Sequence, residues 1–399
     1  MRKLLSVLLV FVLTGSALAG CTTSDLRADD VRIGLVTDVG GRGDQSLNDS
    51  ALRGLEIWAA GKSYTQDNGY VAATDAVYWE SLGTYAADIA TSAIKAFDHI
   101  VPMVLESKDP ADYVPNLTRL AEEAGCRLVI SAGLLLADAT YEVAKTHPDC
   151  RFMLVDAVPI DPGTLSPLPQ LPNLASYVFR EEQAGFLAGA VAGYATRNNR
   201  VGFLGGMPTD VVQRYEAGFL AGIKTTNPLA YGIDGNNVPV LYAETFSDDR
   251  RGKQIAQTLL AQTCDVLFQA AGATGNGMFA ALEEAGGPAN GLWGIGVDTD
   301  MGCNSNLYPA GTLTSAVKHI DLAVYDAVRS VVDNSFRGTT VIMSVANDGV
   351  GYAPDHVADA LSDEQIAGVE RLRAMIRNGT LVPPADPDAV PAWIAPTSY

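Results

Sequence analysis

The sequence predicts an α/β protein of two lobes, each built on a parallel sheet with helices on both faces. Three observations carry this. From residue 31 onward, short apolar runs rich in β-branched residues alternate with helix-length segments. Continuous apolar strands of that kind are buried on both faces in parallel sheets. About 380 residues remain once a leader is removed, a length that usually divides into two lobes. Apolar residues make up 48% of the chain, enough for a core in each lobe.

The chain opens with a basic start, Met1-Arg2-Lys3, an almost unbroken apolar run from Leu4 to Leu13, and small residues ending in Leu18-Ala19-Gly20-Cys21. Residues 1–20 therefore read as a secretory signal. The run is shorter than the roughly 20 residues a membrane-spanning helix needs. Leu18 to Cys21 resembles the lipobox of bacterial lipoproteins, in which the cysteine is acylated and becomes the first residue. A chance cysteine after an ordinary signal is the alternative. Two or three acyl chains anchor stably where one does not, at about 0.8 kcal/mol per buried methylene. The expected location is the cell envelope, lipid-anchored on the outer face of the cytoplasmic membrane or the periplasmic side of an envelope membrane. Residues 21–30 form the linker.

Val31 to Val36 reads as the first strand, followed by a glycine-rich loop and a helix from Leu47 to about Ala60. Strands follow at Leu128 to Ile130 and Phe152 to Val155, with a helix at Ala137 to Lys145 between them. Arg200 to Leu204, Val238 to Tyr242, Val266 to Phe268, Leu292 to Val297 and Thr312 to Val317 complete the series. Residues 61–100 break the alternation and read as an insertion on the first lobe. The tail 382–399 is rich in proline and aspartate without periodicity, and is expected to lie loosely on the surface. The first lobe is assigned 31–160 and 319–338, the second 176–318 and 339–353. The resemblance carried by the blocks named below implies two Rossmann-like lobes joined by three crossings. The first is expected in the proline-rich 157–180, the second just after Lys318, and the third close to Thr339, before a strand Thr340 to Ser344 in the second lobe.

The formal charge is −19, and becomes −21 once Arg2 and Lys3 leave with the signal. Nucleic acid, whose binding rests on cationic contacts to phosphate, is not an expected partner. Four cysteines remain in the mature chain: Cys126, Cys150, Cys264 and Cys303. No CxxC pair is present and there are four histidines in all, so neither a zinc site nor another metal is expected. In an exported chain, disulfides Cys126–Cys150 and Cys264–Cys303 are expected, with buried free thiols as the alternative.

In parallel α/β sheets, ligands lie beyond the carboxyl ends of the strands. Those ends are Asp38, Gly133, Asp156, Gly205, Gly272, Asp298 and Lys318. Asp38 and Asp44 flank the glycine loop at residues 40–43 and would repel a phosphate, which favours a neutral or cationic ligand. A loop serving only the turn is the alternative. Small residues at Ala184, Gly185, Ala188 and Gly189 suit a helix packed closely on its neighbour. Taken singly, Phe246 is more often a core residue than a stacker, Asp298 is as readily a turn aspartate as a ligand contact, and Lys318 as readily a surface lysine.

Taken together, the blocks Asp38 to Asn48, Phe179 to Gly189, Glu244 to Asp248, Ala270 to Gly275, Gly294 to Asp300 and Leu313 to Lys318 resemble the basic membrane lipoprotein family. These are purine-nucleoside receptor lipoproteins, the substrate-binding components of ABC importers. The match covers roughly residues 31–353 apart from 61–100. The resemblance implies a type I periplasmic-binding-protein fold with three interlobe crossings. It implies a base held near Asp38 and Asn48 between two aromatic rings, one matching Phe246. Leu47 stands where the family has the other ring. The ribose would contact Asp298 and Lys318, and Asp138 and Gly272 fall on further lining positions. No cofactor is implied; the partners are a nucleoside, the ABC permease and ATPase subunits, and the membrane through its anchor. The receptor would act as a monomer.

Residue chemistry agrees with that ligand. An aromatic face contributes about 0.5–1.5 kcal/mol of stacking beyond buried area, and a carboxylate accepts strongly from adjacent hydroxyls. No nucleophile elbow, Walker loop or histidine cluster points to an enzyme. Asp38 with Asp298 as the paired carboxylates of a nucleoside-cleaving hydrolase is one alternative. The others are a receptor for a nucleobase or another ring compound, and a signalling receptor.

Overall fold

The computed structural model describes residues 27, 29–75, 77, 94–304 and 309–399. The expected signal segment, Cys21 and part of the 61–100 insertion lie outside the described residues.

Two six-stranded sheets organise the chain. The first has β1 (Val31–Thr37) inside it, flanked by β4 (Ile100–Leu105) and β5 (Leu128–Ala132), and continues through β6 (Arg151–Val155), β7 (Leu174–Phe179) and β13 (Thr340–Met343). All its pairings are parallel, with Ile33 opposite Pro102 on one side and Leu128 on the other. The period-two alternation sends Val31, Ile33 and Leu35 into one apolar layer and Val36 into the other. The second sheet repeats this winding. β8 (Val201–Gly205) lies between β9 (Val240–Tyr242) and β10 (Val266–Ala270), followed by β11 (Trp293–Asp298), β12 (Thr312–Lys318) and β14 (Val350–Tyr352). Only its last strand is antiparallel. Each sheet reverses its winding beside its first strand, which opens a crevice at the carboxyl ends of β1 and β5 in one lobe and of β8 and β10 in the other.

Helices cover the faces. α1 (Leu47–Leu52) runs on into a wider π-helical stretch over Arg53–Ala59. α2 (Tyr113–Glu122) and α3 (Ala137–Thr146) lie on the opposite face of the first sheet. In the second lobe, α4 (Glu181–Ala195) and α5 (Asp210–Thr226) approach backbone to backbone. A Cβ on Gly185, Gly189, Gly218 or Gly222 would fall 2.1–2.4 Å from a carbonyl oxygen of the facing helix. α6 (Asp249–Ala261) and α7 (Asn276–Glu284) cover that sheet's other side.

The crossings differ from expectation in two places. The proline-rich segment after β6 folds back on itself through a bridge between Ile160 and Pro167, then re-enters the first sheet as β7. The chain changes lobe only at Arg180. β7 therefore belongs to the first lobe, although residues from 176 were assigned to the second. The apolar run Leu174–Phe179 finds its partner in β6, with Phe152 opposite Leu174. After Lys318 the chain returns as α8 (Ile320–Val332), which packs on the helix 47–59 and pairs Asp321 with Arg53 at 2.8 Å. The strand Thr340–Met343, expected in the second lobe, instead extends the first sheet beside β7, with Thr340 opposite Ser176. The third crossing comes after it, and β14 is the strand that enters the second sheet.

The tail is not loose. After α9 (Asp363–Arg377) it lies along the second lobe, with Val390 fully buried and Trp393 edge-on to Phe186, ring centres 6.0 Å apart. The Lys224 ammonium donates to the carbonyls of Val390, Pro391 and Trp393 at 2.8–2.9 Å. Scattered apolar residues seated in separate contacts leave no period to read. The described part of the insertion includes a hairpin of β2 (Lys62–Thr65) and β3 (Gly69–Ala72).

Neither expected disulfide is present: all four cysteines are free thiols. Cys126 and Cys150 do meet at one sheet edge, but the Cys150 thiol donates to the Cys126 carbonyl at 3.2 Å while the Cys126 sulfur faces Gly34 in β1. Burial pushes both thiols up to about 12, so they stay protonated. Cys264 is buried in the second lobe's core and Cys303 is exposed.

Candidate functional site

The first wall is built by the glycine loop after β1. Asn48 is almost fully buried, and its amide donates to Asp38 at 2.7 Å and to Asp44 at 2.9 Å. It does not line the cleft; it fixes the carboxylate that does. Asp44 accepts the backbone N–H groups of Ser46, Asn48 and Asp49, capping the entry to α1. Burial, and after it the Asp49 charge, pushes its carboxyl up to about 7. Burial likewise raises Asp38, against the hydrogen bonds from Asn48 and Gly40. The hairpin β2–β3 props the loop from outside. Arg42 holds Glu56 through two bonds of 2.7 and 3.0 Å, its guanidinium lies 4.5 Å from the Tyr64 ring centre, and Tyr70 donates to Glu56 at 2.6 Å.

The second wall is aromatic. Phe246 lies over Gly206, where a Cβ would come within 2.2 Å of the ring, and beside Gly272 at φ +55°. Only glycine leaves the ring that position at 206, and only glycine adopts the backbone of 272 without strain. Leu47 rises from the first lobe, packed against Gly133, and Phe246 from the second; both line the same cleft.

Between the walls the strand ends carry charge. Asp156 after β6 and Asp298 at the end of β11 occupy equivalent places in the two sheets, and both have left-handed backbone (φ 71° and 64°), which aspartate tolerates better than most residues. The Lys318 ammonium, 1% exposed, sits between them. It donates to both oxygens of Asp156 at 2.8 and 3.0 Å, and lies 3.5 Å from Asp298 and 3.9 Å from Glu181. Asp298 accepts from Ser46 of the other lobe at 2.5 Å and from Tyr215 at 3.2 Å. Arg214 pairs with Glu181 at 2.6 Å. Burial raises Asp156 and takes Glu181 to about 7, opposed by the neighbouring cations. The Lys318–Asp156 pair and the Ser46–Asp298 bond each join one lobe to the other.

The cleft holds about 610 Å³ of empty space, counting its open mouth. The structure gathers Asp38, Leu47, Phe246, Gly272, Asp298 and Lys318 around it. Asp138 falls outside, on an exposed turn of α3 facing an adjoining open hollow of about 740 Å³. Ser46, Tyr215, Glu181 and Arg214 were not singled out from sequence. Ser46 and Glu181 lay inside quoted blocks, whereas Arg214 and Tyr215 sit on an apolar helix with nothing local to mark them. Asp156 was marked only as a strand end.

Comparison with known proteins agrees with this architecture. A family model described as ABC transporter substrate-binding protein PnrA-like matches residues 32–385. The CD4+ T-cell-stimulating antigen of Listeria innocua is 31% identical, over 97% of this chain and 99% of its own length. The ABC transporter nucleoside-binding protein BmpA of Lactococcus lactis is 28% identical over 96% and 99%. A solved solute-binding protein of an ABC transporter from Aeropyrum pernix superposes with a TM-score of 0.68 at 24% identity, over 91% and 96% of the two chains, which establishes the shared fold. With both lobes, their crevice and the family match in agreement, the chain belongs to the PnrA-like family of ABC transporter substrate-binding proteins.

Proposed function

We propose that the protein captures a nucleoside, with a purine favoured, between its lobes and delivers it to the permease of an ABC importer without chemical change. The carrying observation is one cleft in which the second lobe presents an aromatic face, Phe246, and a carboxylate–ammonium pair, Asp298 and Lys318, opposite Asp38 and Leu47 of the first lobe. A base stacks on the ring, and the sugar hydroxyls donate to Asp298 and accept from Lys318. Asp298 keeps acceptor capacity for them, since a carboxylate has about four lone-pair sites and two are used by Ser46 and Tyr215. That a relative carries the name of a nucleoside-binding protein supports the reading. In this reading the chain is held at the outer face of a membrane by acylated Cys21 and acts as a monomer. Among the described residues no helix is long and apolar enough to span a membrane.

Leu47 favours a second reading, in which the ligand is a nucleobase or another ring compound. It offers the base an apolar cover in place of a second stacked ring. Calorimetric titration with a panel of nucleosides and bases separates the two, with release of free base followed in the same samples. Tight binding of a purine nucleoside without cleavage is the expected result. Binding of other solutes but of no nucleoside would overturn the ligand assignment, and release of base would overturn the non-catalytic one.

A further inference from the structure

A second constellation lies on the second lobe, away from the strand-end charges, where the chain leaves Asp298. One oxygen each of Asp300 and Asp355 and the sulfur of Cys303 lie within 4.8 Å of one another. The Cys303 sulfur is 3.9 Å from an Asp355 oxygen and 3.9 Å from Nε2 of His356. Asp300 is 1% exposed. Its Oδ1 accepts the Gly302 N–H at 2.9 Å, while its Oδ2 is buried without a hydrogen-bond partner. A carboxylate oxygen buried in that state is costly unless a cation or donor meets it. Gly302 makes room for the cluster: a Cβ there would stand 2.5 Å from the His356 ring. The other ring nitrogen, Nδ1, lies 3.9 Å from Asp359, the position of the outer carboxylate that orients a metal-bound histidine. Among the described residues no lysine or arginine pairs with Asp300 or Asp355.

We propose that Asp300, Cys303, Asp355 and His356 bind a zinc ion. Thiolate, imidazole and carboxylate together are a donor set for zinc rather than for calcium or magnesium. With zinc–sulfur bonds near 2.3 Å and zinc–nitrogen or –oxygen bonds near 2.0 Å, the edge between two tetrahedral ligands is about 3.5 Å. The two separations from the sulfur, 3.9 Å each, exceed it by a few tenths of an ångström, the Asp300, Cys303 and Asp355 donors lie within 4.8 Å of one another, and the His356 ring has to turn in from its contact with the sulfur for the cage to close. Spacing along the chain gave no sign of the site, because Cys303 and His356 stand 53 residues apart. The ion would clamp the segment leaving β11 to the segment following β14.

The test uses the purified mature chain, stripped with a chelator and titrated with Co²⁺ and then Zn²⁺. One Co²⁺ per chain is expected, with a thiolate-to-cobalt charge-transfer band and intense visible bands of a tetrahedral site, all displaced by Zn²⁺. Cys303→Ser should abolish the charge-transfer band. Asp359→Asn should weaken binding about tenfold, the low end for loss of an outer partner. Cys303 and Asp355 are exposed, so Cys303→Ser and Asp355→Asn test the site without disturbing the core. No stoichiometric uptake, weak octahedral bands alone, or a spectrum unchanged by Cys303→Ser would each overturn the proposal.

Discussion

Lys318→Met removes the cation on which the interlobe charge cluster depends and keeps roughly the same volume. In the native protein Nζ lies 2.8 Å from Asp156, 3.5 Å from Asp298 and 3.9 Å from Glu181. At an effective dielectric near 20, unit charges about 3 Å apart attract by about 5–6 kcal/mol. Desolvating both ions offsets most of that, so the intact pair contributes little net stability. Removing one partner is different, because three carboxylates then face one another with Arg214 the cation paired to one of them. The cost for breaking a buried pair is about 3–5 kcal/mol. Urea unfolding at pH 7.5 should show that loss. At pH 5 it should shrink, because Asp156, already raised by burial and raised further once the cation is gone, then takes up a proton, while Glu181, at about 7 even beside its cations, is largely neutral at both pH values. Adding Asp156→Asn should restore at least half of the loss at pH 7.5. A loss under about 1 kcal/mol, or an equal loss at both pH values, would refute the account, since a buried uncompensated charge requires more than that.

Asp298→Ala should lower nucleoside affinity by about 1.5–3 kcal/mol, the range for a hydrogen bond to a charged group, measured by calorimetry. Gly206→Ala should drive the Phe246 ring off its seat and weaken binding up to about tenfold, the worth of a stacked ring, with the ring itself still present; an unchanged affinity would remove Phe246 from the site. Truncation after Ala389 strips Val390 and Trp393 from the second lobe and should cost about 2–4 kcal/mol in urea unfolding. Stability should also fall as pH rises. Asp44 and Glu181 sit at about 7 in the folded chain against about 4 unfolded. Their contribution is therefore fully present below about pH 4 and lost as pH passes through about 7. A melting temperature that rises between pH 5.5 and 7.5 would contradict this.

Both sheets were legible because most strands are apolar runs bounded by turns and separated by helix-length segments. Edge strands were not. Thr340–Met343 alternates exposed positions with the half-buried Val341 and the buried Met343 and could serve either sheet; only pairing with β7 decides. β7 itself was hidden in a stretch whose prolines suggested a linker. At the site, sequence marked Asp38, Asp156, Asp298 and Lys318 as strand ends, since the fold class puts ligands there. It could not show that Lys318 meets Asp156, a contact between ends of two sheets that exists only when the lobes close on each other. Asn48 was expected at the ligand but lies behind Asp38, bonded to its carboxylate. The cysteine pair was rightly put at one sheet edge, yet the direction of each sulfur is set by local packing that spacing does not record.

The close approach of α4 and α5 has a mechanical consequence. With backbone against backbone at Gly185, Gly189, Gly218 and Gly222, the two helices cannot slide or separate without losing contact along their whole length. α4 begins at the first crossing, and the start of α5 supplies Val211, Val212 and Tyr215 to the cleft. That wall is thus bolted to the hinge by an incompressible strut. The cleft wall carried by α5 and the first crossing are therefore expected to move as one piece when the lobes swing.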